Sequence, residues 1–175
     1  IMPSLVGSEM CIRDSNTSVL SSMRAYQDRF YYLLMDETDI VTGRHLKKIP
    51  KAVAEICEGL KKKPSVVMIC ITCVDALLGT DMERVCHKAE EYAGVPVRPC
   101  YMYALTREGR KPPMVHVRQS VYSLLEPKKK KGNVVNLLGY FSPLTDDCEL
   151  YDLLHGAGVK TIHEISRCKD YAQYQ

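Results

Sequence analysis

SVVMICITCVDALLGTDM, residues 65–82, is the stretch whose reading decides the architecture. Its front half holds Val66, Val67, Met68, Ile69 and Ile71, an apolar run rich in β-branched residues. Runs of this kind form strands covered on both faces, as in parallel sheets, rather than half-solvated strands that alternate. The run gives out at Thr72-Cys73, and a Gly-Thr-Asp turn at 79–81 opens an amphipathic helix over about 80–93. Thr80 or Asp81 caps that helix, Met82, Val85, Cys86, Ala89 and Tyr92 form its buried face, and Gly94 ends it. Residues 95–102 supply a second strand. Strand, helix and strand make a βαβ unit, which implies a parallel sheet with a right-handed crossover. Cys73 then sits at the carboxyl end of a strand, the edge where open α/β sheets place functional residues. A thiol there is a ligand, a nucleophile or part of the core.

Upstream, Leu46, Ile49, Val53, Ile56 and Leu60 recur at helical spacing through about 45–62. Pro50 is read near the first turn, where a missing N–H is tolerated. Lys61–Lys63 suits the helix dipole, and Pro64 stops the helix. DETDIVTG, residues 36–43, reads as a loop turning at Gly43, with Asp36, Glu37 and Asp39 solvated. Residues 18–34 read as a short helix leading into a strand. The opening IMPSLVGSEMCIRDS, residues 1–15, has neither helical nor strand period and looks like translated sequencing-adapter read-through. Cys11 accordingly carries no functional weight, and the reading frame is expected to be truncated at its start.

Downstream, residues 104–113 form an exposed polar loop and about 115–125 a helix ending before Pro127. Lys128–Lys131 with Gly132 reads as a basic linker. A second unit follows: strand 133–140, helix 145–156 capped by Thr145 and closed by Gly156 and Gly158, strand 159–165. The chain stops about one helix later, so its carboxyl end is also expected to be truncated or to rely on a partner. The expected fold is α/β, Rossmann-like βαβ units with parallel sheets, truncated at both ends. Its divisions are a non-native segment 1–15, a partial first domain 16–127, the linker 128–132 and the start of a second domain at 133–175.

At 175 residues, 46% hydrophobic and 26% charged, the chain has the balance of a globular protein with ample core. The net charge is only +3, and seven basic residues lie in the two Lys runs, which is no nucleic-acid footprint. No apolar run approaches the roughly 18–20 residues that span a membrane, and nothing reads as a secretory signal, so a cytoplasmic location is expected. Neither a Walker sequence nor G-x-G-x-x-G occurs, so no nucleotide is expected on this chain. The eight cysteines are dispersed and mostly apolar in setting, unlike a disulfide framework. Cys70 and Cys73 form a Cys-x-x-Cys, the spacing of a redox pair or half a zinc site. A second such pair is missing, and residues three apart in a strand face opposite ways, so a disulfide requires the strand to end at Ile71. His45, His116 and His163 read as surface or cap residues, and His87 and His155 as helical residues without a ligand partner.

ITCVDALLGTDMERV resembles the TC-x-x-x-(I/L)-(I/L)-G-D-D-(I/L)-x-x-V segment of the nitrogenase component 1 family, with Thr80 standing where the family has its first Asp. That family includes molybdenum-iron subunits, cofactor scaffold proteins and dark-operative chlorophyllide and tetrapyrrole reductases. DETDIVTGRHLKKIPKAVAEI is similar to the family's E-x-D-x-V-F-G-G segment, and GVPVRP and VVNLLGYF to its next two strands. The likeness runs over roughly 25–165. It implies that Cys73 ligates an iron–sulfur cluster, 4Fe–4S or larger, shared at a subunit interface. It further implies electrons delivered by an ATP-dependent iron–sulfur reductase homodimer, and a related component 1-type subunit as partner in a homo- or hetero-oligomer. The family's upstream Gly-Cys has no counterpart, since residues 16–30 contain no cysteine. The complete protein is thus expected to be an oxidoreductase subunit of which this fragment alone is inactive. One alternative is a non-catalytic α/β scaffold or binding protein of the same fold that holds a metallocofactor or tetrapyrrole. Another is a thiol-redox module using Cys70 and Cys73.

Overall fold

Two compact units, residues 1–124 and 125–175, divide the chain. The computed structural model describes residues 4–7, 29–71, 75, 77–101, 113–129, 132–139 and 141–175. In the first unit the elements run β1 (Ser4–Gly7), β2 (Phe30–Leu33), α1 (Glu37–Val41), α2 (His45–Gly59), β3 (Val67–Ile71), α3 (Met82–Ala93), β4 (Val97–Tyr101) and α4 (Pro113–Tyr122). The four strands form one sheet in the order β2-β1-β3-β4, every neighbouring pair parallel. The α/β class and the βαβ unit β3-α3-β4 are those that the apolar run and its following helix imply. Residues 4–7, from the stretch without period, take the place between β2 and β3, with Ser4 opposite Phe30 and Met68.

The core lies on the face of β3 that carries Val67, Ile69 and Ile71. Strand alternation brings these to one side, where Val97 of β4 joins them. Onto them pack Ile49, Val53 and Cys57 of α2 and Met82, Val85, Cys86, Ala89 and Ala93 of α3. Val53 is fully enclosed, and each such valine contributes about 1.5–3 kcal/mol by leaving water. Asp81 caps α3, its carboxylate accepting the Arg84 amide at 3.1 Å, and Gly94 closes the helix in the left-handed region at φ 61°. Tyr92, expected on the buried face, is 51% exposed. Ala93 takes that place, because a buried stripe of 82, 85, 86 and 89 continues to 93 at a four-residue step. Pro50 also departs from expectation: it lies in the second turn of α2 and is among the most enclosed side chains.

DETDIVTG holds a helix where a loop was expected. Asp36 accepts the Asp39 amide at 2.6 Å, and the Asp39 carboxylate reaches back to the Asp36 amide at 3.5 Å, a capping box that satisfies two exposed donors of α1.

The second unit contains β5 (Val134–Leu137), α5 (Glu149–Gly156), β6 (Thr161–Glu164), a 3₁₀ turn (Ile165–Arg167) and α6 (Tyr171–Tyr174). β5 and β6 pair in parallel, with Val134 opposite Thr161 and Leu137 opposite Glu164. The strand expected over 133–140 is shorter because positive φ angles at Asn133 (61°) and Gly139 (92°) bracket it. The helix expected from 145 begins at Glu149, since Thr145 first accepts the Cys148 amide in a turn (3.1 Å).

Candidate functional site

The carboxyl edge of the first sheet gathers the polar residues of the unit. β3 ends at Ile71, so the Thr72-Cys73-Val74 segment follows directly upon it; Cys73 itself lies outside the described residues. Asp75, two positions on, is buried at 8% exposure, and its carbonyl accepts the Thr80 amide at 3.0 Å. That bond closes the turn leading to Asp81 and α3.

From β2, at the edge of the sheet, the chain enters α1 and then α2, which bring Asp39, His45 and Lys48 to the same cluster. Asp39 is 4% exposed and His45 3% exposed, although both were expected in solvent or at a cap. Lys48 hydrogen-bonds the Asp39 carboxylate, and this bond holds the acid below its ordinary pKa, against the opposing effect of burial. His45 directs Nδ1 at the Asp39 carbonyl, 3.2 Å away. A carbonyl only accepts, so Nδ1 carries the proton and donates. Nε2 faces Asp75 Oδ1 at 3.8 Å and has no hydrogen-bond partner among the described residues. A buried imidazole nitrogen without a partner is costly unless something occupies the space before it.

Sequence reasoning missed His45, yet a signal existed. Positions 45, 49, 53 and 57 repeat every four residues, and all four are buried on one face of α2. Other histidines have partners of their own. His116 packs edge-on to Tyr101 (ring centroids 5.8 Å), His87 pairs with Glu91 at 3.3 Å on the surface, and His155 meets the Val159 carbonyl at 2.9 Å. Among the described residues no three His, Cys, Asp or Glu side chains come together as a metal site.

Cys70, the other half of the Cys-x-x-Cys, lies within β3 on the face away from Val67, Ile69 and Ile71. Cys73, and with it the condition set for a Cys70–Cys73 contact, lies outside the described residues. The sheet sets Cys70 between Val6 of β1 and Cys100 of β4.

A second polar cluster belongs to the other unit. Glu164, at the carboxyl end of β6, is buried and accepts the Tyr151 hydroxyl, the Leu144 amide at 3.2 Å and Arg167 Nε at 3.2 Å. Burial alone raises its pKa, but these donors outweigh it and hold the acid low. Arg167 also bonds Asp146 and the Leu144 carbonyl, both at 2.7 Å. Every partner here is satisfied, which marks a structural tie.

Against known proteins, the family model described as nitrogenase component 1 type oxidoreductase matches residues 1–173. The chain belongs to the nitrogenase component 1-type oxidoreductases. It is 32% identical over 127 residues to the nitrogenase iron-molybdenum cofactor biosynthesis protein NifE of Rhizobium meliloti, covering 71% of this chain and 26% of that one. To NifE of Mesorhizobium japonicum it is 34% identical over 111 residues, covering 62% and 22%. A shorter stretch of 65 residues is 42% identical to the nitrogenase molybdenum-iron protein alpha chain of Methanosarcina barkeri, covering 37% and 12%. The chain thus spans about a quarter of the length of the first two relatives. Among the described residues of this component 1-type chain, no helix is long and apolar enough to cross a membrane.

Proposed function

We propose that the complete protein is a component 1-type oxidoreductase subunit that accepts electrons, at an interface iron–sulfur cluster, from an ATP-dependent iron–sulfur reductase homodimer. The observation that supports this reading is the parallel sheet whose strand β3, Val67–Ile71, immediately precedes Thr72-Cys73 in the sequence of a chain of this family. Cys73 is the proposed ligand, through its thiolate. When bound, such a cluster supplies one-electron redox chemistry whose potential follows its hydrogen bonds and burial. The described residues near the segment fit that role in part. Beyond it in sequence, the Asp75 carbonyl accepts the Thr80 amide, and the Asp75 carboxylate faces the buried His45 ring at 3.8 Å. The cluster is shared with a related subunit in a homo- or hetero-oligomer. The proposed divisions remain 16–127 for the cluster-bearing domain and 133–175 for the start of a second, in a cytoplasmic protein.

A second reading has its own support, since the relatives at 32% and 34% identity are iron-molybdenum cofactor biosynthesis proteins. On that reading the complete protein is a non-catalytic scaffold holding a metallocofactor or tetrapyrrole, and it needs no Cys73 thiolate. The two separate on one substitution. Cys73→Ser in the complete, anaerobically purified protein is expected to abolish bound iron and the visible cluster spectrum while the circular dichroism is kept. Unchanged iron and spectrum in a folded variant would overturn the ligand assignment and favour the scaffold.

A further inference from the structure

We propose that Cys70 and Cys100 form a dithiol–disulfide site across β3 and β4, oxidised by a small-molecule disulfide. The two residues are direct partners in the parallel register, Cys70 opposite Cys100, so their side chains leave the sheet on the same face. Adjacent strands lie roughly 4.8 Å apart, within the separation of about 4.4–6.8 Å between Cα atoms that disulfides tolerate. The neighbouring Cys70 thiol together with burial holds the Cys100 thiol well above its ordinary pKa. Cys70 is half-buried and Cys100 buried, so an oxidant meets Cys70 first.

The exchange balances without any group beyond the oxidant. Cys70, having given up its proton, attacks one sulfur of the small disulfide as the thiolate, a mixed disulfide forms, and the small thiolate that leaves takes up that proton. Cys100 then attacks Cys70 Sγ, the new S–S bond forms, the second small thiol leaves, and it carries away the proton Cys100 gives up. The protein dithiol is oxidised by two electrons and the small disulfide is reduced to two thiols. This assignment replaces Cys73 with Cys100 as the partner of Cys70 and stands apart from any role of Cys73 as a ligand.

The test uses oxidised glutathione as the probe on the folded chain, followed by alkylation of remaining thiols, digestion and mass spectrometry. A peptide pair joined through Cys70 and Cys100 is expected, present equally in Cys73→Ser and removed by dithiothreitol. Cys100→Ser is expected to stop at a glutathione adduct on Cys70. Should Cys100→Ser fail to fold, the mapping in the wild type and in Cys73→Ser decides alone. A Cys70–Cys73 bond, a Cys70 adduct that never resolves in the wild type, or no reaction at Cys70 in the folded chain would each overturn the site.

Discussion

Asp39 illustrates how a single carboxylate is committed by its neighbours. It reads as one of three solvated acids, yet it sits at 4% exposure with Lys48 on its carboxylate and the His45 ring on its carbonyl. Its pKa is lowered in the folded chain, so its contribution to stability is complete above the ordinary carboxylate range. That contribution fades as pH falls through the depressed value. Asp39→Asn is therefore expected to narrow the stability gap to the wild type as pH drops below about 4. Urea unfolding of both proteins between neutral and acidic pH checks this, and a gap independent of pH would deny the Lys48 bond its part. The cluster was only half legible in the sequence. His45 belongs to the four-residue stripe of α2, but a polar residue at the end of an apolar stripe invites a surface reading. Asp75 offered no signal at all, because its burial comes from a turn and from a helix that enters some thirty residues earlier.

At the scale of elements, legibility followed length. β3, α3 and β4 were readable because an apolar run, a twelve-residue amphipathic period and a closing Gly94 all point the same way. α1 has five residues, too few to show a period, and its only mark is the Asp36-x-x-Asp39 spacing of its capping box. Asp36→Ala is expected to cost about 1 kcal/mol through loss of that cap, and Asp81→Ala a similar amount at α3. Denaturant midpoints measure both, and a cost near zero for Asp36 would mean that packing alone holds α1. The core faces give a larger effect. Val53 is fully enclosed between α2, α3 and β3, so Val53→Ala is expected to cost on the order of 2 kcal/mol, lost burial and residual cavity together.

Across the whole molecule, the burial of apolar side chains is uneven. The described core residues, from Ile49 to Leu124, all fall in the first unit. In the second, Glu164 is the only buried residue among those described, while Leu138 and Leu153 are about two-thirds exposed at 66% and 69%. A two-stranded sheet of this kind has little of its own to resist opening. In the currency of hydrogen exchange, the amides of β5 and β6 are expected to trade with deuterium in an early, shallow phase. Those of β3, paired on both sides and covered by α2 and α3, wait for global unfolding. The same molecule would then keep two clocks, a fast one running at the Glu164 tie and a slow one at the sheet built on β3.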